Sequence, residues 1–250
     1  MFDFLTLPQR TLKPRESGLT HVLDKGYSLG QVRQLMEVAQ GYVDIVKLGW
    51  GTAVVTPNLR EKVELYQSYG IPVCFGGTFF ELCLRQGRLE EYLAVVRSLG
   101  MDCLEVSDGT IEMEEDDKLA LLRRLCKEFR VLSEVGSKDA SVVIAPEKWV
   151  DSIKREFDAG AWKVITEGRE SGTAGIYQSE GQVQEALLES IVSAVSVENL
   201  LFEAPIKSQQ AWFVMKFGAD VNLGNIPPEE ALALETLRLG LRGDTLLHFH

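Results

Sequence analysis

The stretch Val43-Asp-Ile-Val-Lys-Leu-Gly-Trp-Gly-Thr52 is one unit of a pattern that fills the chain. An apolar, β-branched run over residues 43–48 has the character of a buried strand. After Asp44 near its start, it carries Lys47 into a glycine-rich turn. Outward from this unit, the same alternation of apolar run, polar turn and helical period recurs. It predicts seven further strands, near Leu19 to Leu23, Ile71 to Phe75, Cys103 to Val106, Val131 to Val135, Lys163 to Thr166, Leu200 to Glu203 and Asp220 to Leu223. Between them, Leu89, Leu93, Val96 and Leu99 form one helical stripe, and Leu119, Leu122, Cys126 and Phe129 another. Glycines at 41, 70, 100, 160, 218 and 240 fall where such helices should stop.

Eight strand–helix repeats imply parallel strands joined by crossovers, and eight is the number that closes a barrel. The expectation is an α/β protein, a (β/α)8 TIM barrel, with residues 1–250 as a single domain. A doubly wound open sheet would share the periodicity, since pattern alone does not show closure. The length of 250 residues suits the barrel, and 45% hydrophobic with 25% charged residues suits a large packed core.

A formal net charge of -11 argues against nucleic acid or an anionic membrane surface as the main partner. No apolar stretch is long enough to span a bilayer, and residues 1–15 do not read as an export signal, so a cytoplasmic location is expected. Cys74, Cys83, Cys103 and Cys126 lack paired spacing and read as reduced thiols. The histidines are His21, His248 and His250, too few and too scattered for a catalytic triad, and His21 reads as a packed strand residue. No dinucleotide or Walker-type phosphate loop is present.

In a barrel the active site is built at the carboxyl ends of the strands, and there the polar residues of this chain gather. The predicted strand ends carry Lys25, Lys47, Glu105, Glu134, Lys138, Glu167, Arg169, Ser171, Glu203, Lys207, Asn222 and Asn225. Lys47, Glu105, Glu134 and Glu203 lie inside or at the ends of apolar runs, where an uncompensated charge is costly. They imply ion pairs around a polar ligand, or a metal. Without a histidine or cysteine cluster beside them, Glu105, Glu134, Glu167 and Glu203 are hard ligands suited to Mg2+ rather than zinc; simple pairing with the lysines is the competing account. Lys25, Lys47, Lys138, Arg169 and Lys207 would form a cationic pocket for a small, highly anionic substrate. Glycine pairs and the stretch from Asn222 to Ile226 offer backbone N–H groups to phosphate.

Several ordered segments carry a family likeness. They are Lys13-Pro-Arg15 with Gly18-Leu-Thr20, Asp24-Lys-Gly26, residues 47–52, Gly76-Gly-Thr78, Glu105-Val-Ser-Asp-Gly109 and Ser133-Glu-Val-Gly136. The series continues with Glu167-Gly-Arg-Glu-Ser-Gly172, Val221-Asn-Leu-Gly-Asn-Ile226 and Leu241-Arg-Gly-Asp-Thr245. The chain resembles the phosphosulfolactate synthase family of coenzyme M and sulfolactate biosynthesis.

The resemblance implies Mg2+-dependent addition of sulfite to C3 of phosphoenolpyruvate, giving (2R)-2-phospho-3-sulfolactate. It implies metal and substrate carboxylate near Glu105, Glu134 and Glu167. Substrate contacts are expected from Lys25, Arg169, Ser171, Lys207, Asn222 and Asn225, with Lys138 as first and Lys47 as second choice of proton donor. A lysine in such a pocket is expected to have a lowered pKa. Where the family places two adjacent lysines after the fifth-strand glycine, this chain has Ser137 before Lys138. Association into a homo-oligomer is expected. The family also takes in plant heat-stress-associated proteins, so a non-catalytic protective role is the alternative of a different class. Another Mg2+-dependent lyase or aldolase of phosphorylated enol or keto acids would use the same pocket.

Overall fold

The computed structural model describes residues 2–137 and 144–250. Eight parallel strands form the centre: β1 (Thr20–Asp24), β2 (Ile45–Leu48), β3 (Val73–Phe75), β4 (Cys103–Val106), β5 (Arg130–Val135), β6 (Lys163–Thr166), β7 (Leu200–Glu203) and β8 (Leu223–Ile226). Their hydrogen-bonded order is β3-β2-β1-β8-β7-β6-β5-β4, and β3 and β4 pack side by side to bring the ends together. The result is a (β/α)8 barrel, closed except for a backbone ladder at the β3/β4 seam.

Each strand alternates its side chains between two cores. Val22, Val46, Val73, Leu104, Val131, Val164 and Phe202 face outward beneath the helices. Leu19, Ile45, Cys74, Cys103, Leu132, Ile165 and Leu201 face inward and fill the lower barrel. The predicted helical stripes hold: helix Leu89–Ser98 buries Leu93 and Val96, and helix Glu115–Leu125 buries Leu119 and Leu122. Of the six glycines expected to stop helices, all but Gly41 have positive φ. The four cysteines are free thiols, and no helix is long and apolar enough to cross a membrane among the described residues.

The eighth strand differs from expectation: it begins at Leu223 rather than ending there. Asn222 explains the offset. Its Oδ1 accepts the Leu19 N–H at 3.0 Å, and its Nδ2 donates to the carbonyls of Leu200 at 2.8 Å and Glu198 at 2.9 Å. The side chain thus stands in for ladder bonds at the amino-terminal end of the barrel. Gly224 then lets β8 approach its neighbours, since a Cβ there would lie 2.9 Å from Leu201 Cδ2 and 3.1 Å from His21 Nδ1.

Candidate active site

Two residues beyond each of five inward apolar side chains, the same strand face turns charged. Ile45 is followed by Lys47, Cys103 by Glu105, Leu132 by Glu134, Ile165 by Glu167 and Leu201 by Glu203, and all five charged side chains are buried. They form the floor of a cavity of about 480 Å³ at the carboxyl ends of the strands, with Trp50, Gly77, Gly109, Arg169 and Asn225 among its walls.

The floor is cross-braced. Lys47 Nζ lies 2.9 Å from Glu105 Oε2 and 3.2 Å from Glu203 Oε1. Glu105 Oε1 accepts the Gly77 N–H at 2.6 Å, so one carboxylate bridges the β3/β4 seam that lacks a ladder. Glu203 Oε2 accepts the Gly168 N–H at 2.9 Å, and Glu167 Oε1 accepts the Arg169 N–H at 2.7 Å. Glu134 Oε1 accepts the Ser107 hydroxyl at 2.7 Å, and Ser107 Oγ also contacts buried Glu81. One oxygen each of Glu134, Glu167 and Glu203 lies within 4.8 Å of the other two. Three convergent carboxylates on adjacent strands are a hard-oxygen donor set, the chemistry Mg2+ selects.

Burial raises the Glu105 carboxyl; Lys47 opposes the rise, while Glu134 and Glu203 add to it, and its pKa is pushed up to about 7. Burial also works against a charged Lys47, but Glu105, Glu203 and Glu134 more than offset it and hold the ammonium well above the ordinary lysine range. This corrects the expectation of a lowered lysine pKa at this position. Lys47 is a fixed cation tying two carboxylates together, and it is badly suited to giving up a proton.

Backbone strain concentrates here. Trp50, Arg169 and Asn225 are the non-glycine residues with positive φ among the described residues, at 49°, 58° and 53°, and all three line the cavity. Such conformations cost energy and persist where function requires them. Glycines admit the tight loops: a Cβ on Gly175 would lie 1.9 Å from the Glu167 carbonyl oxygen.

The remaining predicted residues separate. Glu105, Glu134, Glu167, Lys47, Arg169 and Asn225 come together at the cavity. Glu203 joins Glu134 and Glu167 in place of Glu105, and both Glu105 and Glu203 pair with Lys47. Lys25 and Ser171 are exposed, Ser171 bonding Thr173 at 2.7 Å. Lys207 pairs with Asp244 at 2.8 Å. Asn222 is a correction: it sits at the opposite end of the barrel, with its amide committed to backbone, and has no path to substrate. Lys138 lies outside the described residues. Sequence reasoning names Ser107 only within the segment Glu105–Gly109 and misses Glu81, which contacts it as it braces Glu134; the signal for Glu81 was a lone carboxylate within the apolar helix Gly77–Arg85.

Residues 8–244 match the family described as (2R)-phospho-3-sulfolactate synthase (ComA). The chain belongs to the phosphosulfolactate synthase family. The phosphosulfolactate synthase of Methanothermobacter thermautotrophicus is 45% identical, covering 98% of this chain and 97% of its own. That of Bacillus subtilis is also 45% identical, over 98% and 99%. The Arabidopsis thaliana protein HEAT-STRESS-ASSOCIATED 32 is a more distant relative, 22% identical over 92% and 88%. Among solved structures, the YdjI aldolase of Escherichia coli superposes with a TM-score of 0.56 over 87% of this chain and 78% of its own, at 15% identity, which supports the barrel fold alone. Family membership makes the chain an enzyme, of a kind consistent with a carbon–sulfur lyase.

Proposed function

We propose that this site adds sulfite to C3 of phosphoenolpyruvate to give (2R)-2-phospho-3-sulfolactate, with Mg2+ held by Glu134, Glu167 and Glu203. The observation that carries the reading is the convergence of those three buried carboxylates beside two cations, Lys47 and Arg169, at the mouth of the barrel. A bound Mg2+ would stabilise the negative charge that develops on the substrate carboxylate as the sulfur–carbon bond forms. Arg169, exposed at the cavity wall, offers a planar pair of donors to phosphate or carboxylate. Asn225, buried at the cavity wall, offers its side-chain N–H to the same ligand. Lys47 keeps Glu105 and Glu203 in place. Delivery of a proton to C2 is assigned to Lys138, which follows the strand that carries Glu134.

Purified protein incubated with phosphoenolpyruvate and sulfite should give a new phosphoester signal by 31P NMR that depends on Mg2+. Absence of the signal from folded, Mg2+-loaded protein overturns the reading. A signal undiminished by excess chelator would keep the reaction and remove the metal. Association into a homo-oligomer belongs to the same proposal, and light scattering of the purified chain checks it.

A further inference from the structure

Beneath the carboxylate floor, and sharing Glu105 with it, the barrel interior holds a second group of metal-binding side chains. His21 on β1, Cys74 on β3 and Glu105 on β4 each place a ligand atom within 4.8 Å of the others. Cys103, two residues before Glu105 on the same strand, lies in the same interior cluster as Cys74 across the β3/β4 seam. The relative exposures are 0% for His21, Cys74 and Cys103 and 2% for Glu105. Neither ring nitrogen of His21 has a hydrogen-bond partner. A buried imidazole with both nitrogens unsatisfied is rare enough to call for an occupant.

We infer that these residues form a second cation site, for a thiophilic divalent ion of the Zn2+ type. The two groups differ in ligand hardness. Imidazole and thiolate select Zn2+ or Cd2+, whereas the three carboxylates above select Mg2+. Burial, with help from Lys47, keeps the His21 ring neutral, which is the form that donates a lone pair to a metal. As the ion binds, the Cys74 sulfur forms a bond to it and the thiol proton leaves to solvent. His21 supplies a nitrogen lone pair without losing a proton, and Glu105 turns Oε2 from Lys47 toward the ion. Cys103 stands beside Cys74 as the fourth donor. Glu105 and Lys47 line the cavity, so the ion enters from above. Occupancy withdraws Glu105 from Lys47, and a bound thiophilic ion therefore inhibits the enzyme.

Cadmium titration of the full chain in excess Mg2+, followed by thiolate-to-metal ultraviolet absorption, tests this without relying on the synthase reaction. One equivalent of Cd2+ should bind and give the band. Replacing the half-buried pair, with Cys83→Ser and Cys126→Ser together, should leave the band intact. Cys74→Ser should abolish it, and His21→Gln should weaken binding about tenfold or more. Glu167→Gln, which alters only the upper group, should leave it unchanged. No band in the unsubstituted chain overturns the inference, as does a band that survives Cys74→Ser or disappears with Cys83 and Cys126.

Discussion

The lower and upper halves of the barrel interior lie on the same strands and are built by different forces. Below, Ile45, Leu132, Ile165 and Leu201 pack against one another and are held by removal of apolar surface from water. Above, Lys47, Glu105, Glu134, Glu167 and Glu203 are equally sealed and are held by ion pairs and backbone N–H groups. An apolar layer tolerates the loss of one member as a cavity. A charged layer does not, because removing one partner strands the others. Lys47→Ala should therefore cause the largest loss, about 3–5 kcal/mol of stability, since it leaves Glu105 and Glu203 buried without their cation. Urea denaturation measures it, and a loss below about 1 kcal/mol would show that the upper layer can rearrange or neutralise itself.

The lower layer should answer differently. Leu132→Ala should cost about 2–5 kcal/mol through transfer and cavity formation, while the folded fraction keeps its turnover. If turnover falls as steeply as stability, the two layers are mechanically coupled and the division between them fails. Asn222→Ala probes the amino-terminal rim below both layers. It leaves the Leu19 N–H and two carbonyls unpaired and should cost about 1–3 kcal/mol with no change in KM. A raised KM would return Asn222 to the substrate site.

Both layers were legible in the sequence to different degrees. The alternation that sends Leu132 and Glu134 to the same interior face follows from strand geometry, so a charge inside an apolar run already points to the barrel lumen. The fold and the upper layer could be read for that reason. Proximity to a strand end says less about loop residues: Lys25, Ser171 and Lys207, like Arg169, lie within a few residues of a strand end, yet exposure or a pairing with Asp244 takes them elsewhere. Asn222 was misplaced because side-chain amides imitate backbone, and its bonds shift β8 by three residues along the chain. Glu105 and Glu203 both reach Lys47, and it is Glu203 that converges with Glu134 and Glu167, a matter of three-dimensional placement that spacing does not encode.

The smallest expected effect is one of slope, and it tests whether the two layers share electrostatics. Glu105 in the folded chain titrates near 7, above its ordinary value of 4.5, so between those values the native state binds more protons than the unfolded state. Its contribution to stability is fully present below about pH 4.5 and is lost as pH rises through about 7. His21, held neutral by burial, pulls the opposite way below its ordinary 6.5, because the unfolded chain takes up a proton that the native ring refuses. Lys47, Glu134 and Glu203 face Glu105 and set the size of its shift. The informative quantity is thus the difference in unfolding free energy between the unsubstituted chain and Glu105→Gln across pH 4.5 to 7. That difference should shift steadily against the unsubstituted chain as pH rises. A flat difference would mean that Lys47 compensates Glu105 completely, and the upper layer would then be electrostatically closed to the thiol and imidazole beneath it.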